Sequence, residues 1–174
     1  MSTIKTDIRG LSQDALIAFF EQHGEKAFRA KQVYQWLWQK SAASFEEMTN
    51  LSKETRALLD EHFEFKLLEV DLMQRSVDGT IKNAVKLHDG ALVESVLIPT
   101  DKRITACVSS QVGCSLDCTF CATASLKRMR NLGPDEIYDQ VVVIDRQGRE
   151  FFGRPLTNIV FMGMGEPLLN YANV

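Results

Sequence analysis

The sequence predicts an α/β fold in three parts: a helical accessory module over residues 1–64, an antiparallel β-hairpin linker over 65–100, and the first part of a parallel (β/α) barrel over 101–174. Three observations carry that reading. Up to residue 64, apolar residues recur at helical spacing. From Lys66, short strand-like runs alternate with Asp-Gly pairs, which is the signature of hairpins. From Arg103, a strand-like run, a long helical run and a second apolar run follow in order, which makes one βα unit with parallel strands.

The first helix lies in "LSQDALIAFFEQHG". Ser12 is placed to cap it, Leu16, Phe19 and Phe20 share a face, and Gly24 ends it. The second lies in "KAFRAKQVYQWLWQK", with Phe28, Val33, Trp36 and Leu37 at helical spacing. A third runs from Phe45 to Phe63, broken near Asn50-Leu51-Ser52, where Ser52 followed by Glu54 and Thr55 marks a fresh start. Trp36 and Trp38 could stack on nucleic-acid bases, but such aromatics more often build the core.

The strands of the linker are "LLEVDLMQRS", "TIKNAVKLH" and "ALVESVLIP", joined by turns at Asp78-Gly79 and Asp89-Gly90. The barrel part opens with the strand "RITACVSS" and continues through a cysteine-rich loop. Its helix, "GPDEIYDQVVVIDRQG", has Pro134 in the first turn, Asp135 and Glu136 beside it, and Gly148 past its end. The next strand, "LTNIVFMGMGEP", runs into a Gly-rich turn. Functional loops in such folds lie at the carboxyl ends of the strands, so the cysteine loop and "GMGEP" are expected to be neighbours. A closed barrel needs about 250 residues. The chain is therefore expected to be a partial form of a longer protein.

Composition narrows the function. With 174 residues, 45% hydrophobic and 25% charged, the balance is that of an ordinary folded chain. A net charge of -3 argues against a chain that is basic throughout, as many nucleic-acid binders are. Charge is local instead: Lys127, Arg128 and Arg130 follow the cysteines, as a solvated loop or as RNA contacts. No run of about 18 apolar residues predicts a membrane span, and "MSTIKTDIRG" lacks the apolar stretch of a secretory leader. A cytoplasmic location is expected. In that reducing compartment, clustered cysteines serve metal or redox chemistry more often than disulfides.

All four cysteines fall in "CVSSQVGCSLDCTFCAT", residues 107–123. Cys114, Cys118 and Cys121 form C-x-x-x-C-x-x-C, and Cys107 lies seven residues upstream in the preceding strand. Thiolates ligate zinc and iron–sulfur clusters. A structural zinc site wants four ligands, usually two separated pairs. Three cysteines on a cubane cluster leave one iron open for a small ligand. Iron–sulfur with an open site fits the triplet best; zinc and incidental buried thiols remain as alternatives.

These residues resemble a known family. "CSLDCTFC" looks like the cluster-binding loop of radical S-adenosylmethionine (SAM) enzymes, and "MGMGEP" resembles their Gly-Gly-Glu-type motif, with Met164 in place of a glycine. "CVSSQVGCSLDCTFCATA", "VESVLIP" and "TNIVFMGMGEPLLN" more closely resemble the bacterial RNA adenine C2-methyltransferases, along nearly the whole chain. The resemblance implies a 4Fe-4S cluster on Cys114, Cys118 and Cys121, with SAM on the open iron. It places Phe120 near the SAM adenine, and Gly165 and Glu166 at the SAM amino group. It implies large-subunit rRNA and tRNA as substrates, an electron donor such as flavodoxin, and a monomer. The related C8-methyltransferases share these motifs and are the nearest alternative; a non-catalytic, zinc-stabilised RNA-binding module is the other.

In that family a cysteine near the C-terminus is methylated first, and a 5′-deoxyadenosyl radical then activates the methyl group. The carbon radical adds to adenine C2 and forms a protein–RNA crosslink. A base removes the C2 proton, and another cysteine resolves the link as a disulfide. Glu94 matches the proton acceptor. It otherwise reads as a strand Glu facing solvent, although apolar Val96 and Ile98 share its face and burial could tune it for base work. Cys107 matches the resolving cysteine, or otherwise a small buried strand residue. With four cysteines assigned, none is left to carry the methyl group, so the 174-residue chain is expected to be catalytically incompetent.

Overall fold

The structure, a computed structural model, describes residues 5–174. Residues 1–4 of the N-terminal stretch read for a leader lie outside the described residues. Chain contacts divide the protein into two units, residues 1–66 and 67–174.

In the first unit, strand β1 (Thr6–Asp7) pairs in parallel with β2 (Phe63–Glu64), bringing the two ends of the module together. Between them lie helices α1 (Gln13–Gln22), α2 (Phe28–Trp38) and α3 (Lys53–His62). Asp7 fastens this closure. Its carboxylate accepts from the Arg9 and Lys66 backbone N–H groups at 2.9 and 3.1 Å, and Arg9 Nη2 donates to the Lys66 carbonyl at 2.9 Å.

Ser12 caps α1 by accepting from Ala15 N–H, and Ser52 caps α3 by accepting from Thr55 N–H, as the sequence predicts. Leu16, Phe20, Val33, Leu37 and Leu59 meet in a core from which water is excluded. Full burial of one such side chain stabilises the module by roughly 1.5–3 kcal/mol.

Two expectations need correcting here. Residues 45–51 are not helical: Met48 N–H donates to Phe45 O and Leu51 N–H to Met48 O, so short turns bury Phe45, Met48 and Leu51. Phe28 is exposed, and Ala30 takes its place on the buried face of α2. Trp36 and Trp38 pack against this core. Lys40 lies over the Trp36 ring, whose Nε1 donates to Asn50.

The second unit is built on one sheet. Strands β3 (Glu69–Arg75), β4 (Ile81–Lys86), β5 (Leu92–Pro99) and β6 (Ile104–Cys107) are antiparallel neighbours. A short pair follows, β7 (Gln111–Val112) with β8 (Arg130–Asn131). Helix α4 (Pro134–Phe152) then leads to β9 (Asn158–Val160), which pairs in parallel with β6. The strands expected in the 65–100 linker thus share a sheet with β6 and β9, the strands expected to begin a barrel. Both Asp-Gly turns form where predicted, closed by Ser76 N–H to Thr80 O and Leu87 N–H to Ala91 O.

Helix α4 covers the sheet, with Ile144 packed among Ile81, Leu97, Ile104 and Ala106. A buried amide pair crosses this interface: Asn83 Nδ2 donates to Gln147 Oε1 at 3.0 Å, and Gln147 Nε2 to Asn83 Oδ1 at 2.8 Å. The helix does not stop at Gly148. That residue lies inside it, where a Cβ would come within 3.2 Å of Ile104, so the glycine serves close helix–sheet packing. Gly153 is the C-cap instead. Among the described residues, no helix is long and apolar enough to cross a membrane.

Candidate functional site

Cys107 ends β6, flanked in the sheet by Val96 of β5 and Val160 of β9. It is buried, and burial pushes its thiol pKa up, opposed by a hydrogen bond from the Met162 backbone. The next four residues carry a polar run, Ser109-Ser110-Gln111, that is wholly buried. The backbone of each member is paired, and so is the Ser109 hydroxyl. Ser109 N–H donates to Gln140 Oε1 of α4 at 2.9 Å, and Ser109 Oγ donates to the Glu94 carbonyl of β5 at 2.6 Å. The Ser110 carbonyl accepts from Asn170 Nδ2 at 2.8 Å.

The turn after β9 docks on this run. Gly163 N–H donates to Val108 O at 3.1 Å, and Met164 N–H to Ser109 Oγ at 2.8 Å. The Met164 carbonyl accepts from both Ser110 and Gln111 N–H. The expected proximity of "GMGEP" to the entrance of the cysteine loop is therefore present. Gly165 has φ +93°, and a Cβ there would lie 2.5 Å from Gln111 Cβ, so both backbone shape and space demand glycine. Glu166 N–H donates to Gln111 Oε1 at 3.0 Å, and its carboxylate caps a 3₁₀ turn by accepting from Leu168 N–H.

The β7–β8 pair closes the neck of the cysteine loop. Gly113 sits in this neck at φ +72°, where a Cβ would meet the Lys127 carbonyl at 2.2 Å. Within the loop, Cys114 and Cys118 are half-buried and Cys121 is exposed; all four cysteines are free. Cys114 Sγ accepts from Leu116 N–H at 3.4 Å. Backbone and hydroxyl hydrogen bonds from Thr123 lower the pKa of Cys121.

The loop carries the three thiols, and two of the sulfurs, those of Cys114 and Cys121, have local hydrogen-bond donors. Among the described residues, no three His, Cys, Asp or Glu side chains are gathered to share a metal ion. The donor chemistry nonetheless fits a thiolate-bound cluster: three unpaired thiols lie within eight residues, and the hydrogen bonds to Cys121 favour its anion.

Two cavities border this loop. One of about 520 Å³ is lined by Cys114 to Asp117 and Ala124 to Arg128. The second, about 340 Å³, brings together Glu94, Val93 and Ala84 of the sheet, Ala122, Thr123, Ser125 and Leu126 of the loop, and Met164 of the Gly-rich turn. Glu94 thus shares a cavity with both motifs. Its side chain is 50% exposed and ion-paired with Lys82 of β4 at 2.9 Å, as in the solvent-facing reading of this strand Glu. Phe120 is 91% exposed at the loop surface.

Lys127 and Arg128 are exposed, but Arg130 is engaged. Its guanidinium bonds Glu136 at 2.7 and 2.8 Å and Asp89 at 2.7 Å, which raises its own pKa and holds Asp89 at about 2. Arg130 therefore belongs to the frame and not to a free basic patch.

Sequence reasoning missed Gln111, Asn131, Gln140 and Asn170, the amides that pin the site. One signal was present: a polar run, Ser109-Ser110-Gln111, directly after an apolar strand, where three adjacent buried polar residues each need a partner.

Comparison with known proteins fits this geometry. Residues 6–65 match the family model described as the ribosomal RNA large subunit methyltransferase N-terminal domain. The chain is 68% identical over 170 residues to a probable dual-specificity RNA methyltransferase RlmN of Christiangramia forsetii, covering 98% of this chain and 48% of that protein. It is 50% identical over 173 residues to the dual-specificity RNA methyltransferase RlmN 2 of Myxococcus xanthus, covering 97% and 46%. A crystal structure of a radical SAM methyltransferase from Sphaerobacter thermophilus superposes with a TM-score of 0.81 at 38% identity, over 97% of this chain and 49% of that one. The chain spans about half the length of the curated relatives it matches.

Proposed function

The chain belongs to the RlmN family of RNA methyltransferases, and from that premise we propose that it forms part of a radical SAM enzyme that methylates C2 of one adenine in large-subunit rRNA and one in tRNA. The observation that carries this reading is the cavity of about 340 Å³ that Glu94, the cysteine loop and the Gly-rich turn line together. Residues of β5, of the cysteine loop and of the Gly-rich turn, far apart in sequence, border a single space.

In this reading Cys114, Cys118 and Cys121 hold a 4Fe-4S cluster, and Gly165 and Glu166 face the SAM amino group. When bound, the cluster supplies the electron, drawn from a donor such as flavodoxin, that SAM cleavage requires. Phe120 lies open at the loop surface, available to the SAM adenine. Glu94 accepts the C2 proton, and Lys82 competes for the same carboxylate oxygen. Cys107, its pKa raised by burial, stays protonated until it resolves the protein–RNA link. The Lys127 and Arg128 side chains offer exposed positive charge to RNA phosphates. With all four cysteines so assigned, the 174 residues contain no methyl carrier, and this chain alone transfers no methyl group.

Anaerobic reconstitution with iron and sulfide tests the proposal. The chain should turn brown with broad visible absorption, and Cys118→Ala should abolish it. A colourless protein holding one zinc overturns the reading. Methyl transfer from labelled SAM to an rRNA fragment by the 174-residue chain overturns the assignment of the cysteines.

A further inference from the structure

We propose that Gln111 is the positioning residue of the SAM-facing turn, fixing Gly165 and Glu166 against the neck of the cysteine loop. The inference rests on the reading of Gly165 and Glu166 given above, and deepens it.

Gln111 is fully buried, and every polar atom of its side chain is committed. Oε1 accepts from Glu166 N–H at 3.0 Å, and Nε2 donates to Asn131 Oδ1 at 2.8 Å. Its backbone N–H donates to the Met164 carbonyl at 3.2 Å. Its Cβ and Cγ fill the space that a side chain at position 165 would need, at 2.5 and 2.7 Å from a Cβ there. The turn is thus gripped on consecutive residues by one side chain.

Asn131 extends the grip. Its Oδ1 also accepts from Arg128 Nη2 at 3.0 Å, and its Nδ2 donates to the Leu169 carbonyl at 3.2 Å. A continuous path therefore runs from Glu166 through Gln111 and Asn131 to Arg128 on the cysteine loop. Both ends of the amide are needed: Gln111 accepts from a backbone N–H on one side and donates to a carbonyl-type oxygen on the other. A carboxylate of the same shape satisfies the first and repels the second. Gln111 touches no reacting atom in this arrangement; it acts through the turn.

The test compares wild type with Gln111→Ala and Gln111→Glu in the reconstituted 174-residue chain. Gln147→Met serves as a buried-amide control that removes the Asn83 pair without contacting the turn. Amide hydrogen exchange at Glu166 is measured without SAM. Exchange should accelerate at least about tenfold in both Gln111 variants and stay within about twofold of wild type in the control. SAM titration, followed by the spectrum of the reduced cluster, should show affinity weakened at least about tenfold in the Gln111 variants, with cluster content unchanged. Unchanged Glu166 exchange overturns the proposal, and so does faster exchange with unchanged SAM affinity. If wild type binds no SAM, the assignment of Gly165 and Glu166 falls instead, while the exchange arm still decides whether Gln111 holds the turn.

Discussion

Gln140 of α4 and Ser109 of the loop entrance hold each other by two hydrogen bonds, Ser109 N–H to Gln140 Oε1 at 2.9 Å and Gln140 Nε2 to the Ser109 carbonyl at 3.2 Å. The side-chain amide completes the backbone pairing where β6 has ended. Gln140→Leu keeps the volume but leaves a buried N–H and a buried carbonyl without partners. Leaving such groups unsatisfied costs about 1–3 kcal/mol each. The variant is expected to lose about 2–3 kcal/mol in denaturant unfolding, with the first helical module unaffected. A loss below about 0.5 kcal/mol removes this pair from the frame of the site.

The Asp89–Arg130 pair makes a prediction about acid. Hydrogen bonding to Arg130 holds the Asp89 carboxyl at about 2, below its ordinary 3.8. A folded pKa lowered in this way stabilises the protein above pH about 4, and the contribution disappears as pH falls towards 2. The shift corresponds to about 2 kcal/mol, reduced to about 1 kcal/mol by solvent screening of a carboxylate that is 36% exposed. Asp89→Asn should therefore be about 1 kcal/mol less stable than wild type at pH 7 and nearly equal to it near pH 2. Parallel stability curves across that range would show that the pair contributes nothing.

Glu94 separates chemistry from stability. Its pair with Lys82 is half-exposed on both sides, and such surface pairs contribute about 0–1 kcal/mol. Glu94→Gln should fold with a melting temperature close to wild type. Under the proposed function, the same substitution in a full-length relative should stall the reaction with RNA still covalently attached, because a neutral amide cannot accept the C2 proton. Full turnover by Glu94→Gln assigns the proton to another base.

RNA affinity should divide between the loop cations. Lys127→Ala/Arg128→Ala removes exposed charge, and the salt dependence of RNA binding should become shallower by about 1.4 in log–log slope for two single-strand phosphate contacts. Arg130→Ala should instead destabilise the fold, because it breaks contacts to Asp89 and Glu136. An unchanged slope in the double variant rules out phosphate contact by that pair.

Local chemistry made much of the fold legible. Ser12 and Ser52 announce helix starts because a short hydroxyl side chain satisfies an orphan N–H. The two Asp-Gly pairs announce their turns, and the switch in hydrophobic period locates the sheet. The misreadings come where tertiary contacts decide. Gly148 looks like a helix stop until Ile104 is seen against it. Phe45, Met48 and Leu51 look helical by spacing, yet turns bury them. Glu94 shares its strand face with apolar Val96 and Ile98, yet its side chain is half-exposed and paired with Lys82 of the adjacent strand. The proximity of the cysteine loop to the Gly-rich turn was readable from topology. The amides that enforce it were not, since a hydrogen-bonding partner 20 or 55 residues away leaves no local pattern.

The β7–β8 pair has a consequence for how the protein matures. Val112 and Gly113 are fastened to Lys127 through Arg130, so the segment between them is an excursion with both ends already tied. The entropy of bringing those ends together is spent when β7 pairs with β8, through backbone contacts that involve no sulfur. Closing the neck of the loop is therefore separable from whatever its three thiols bind.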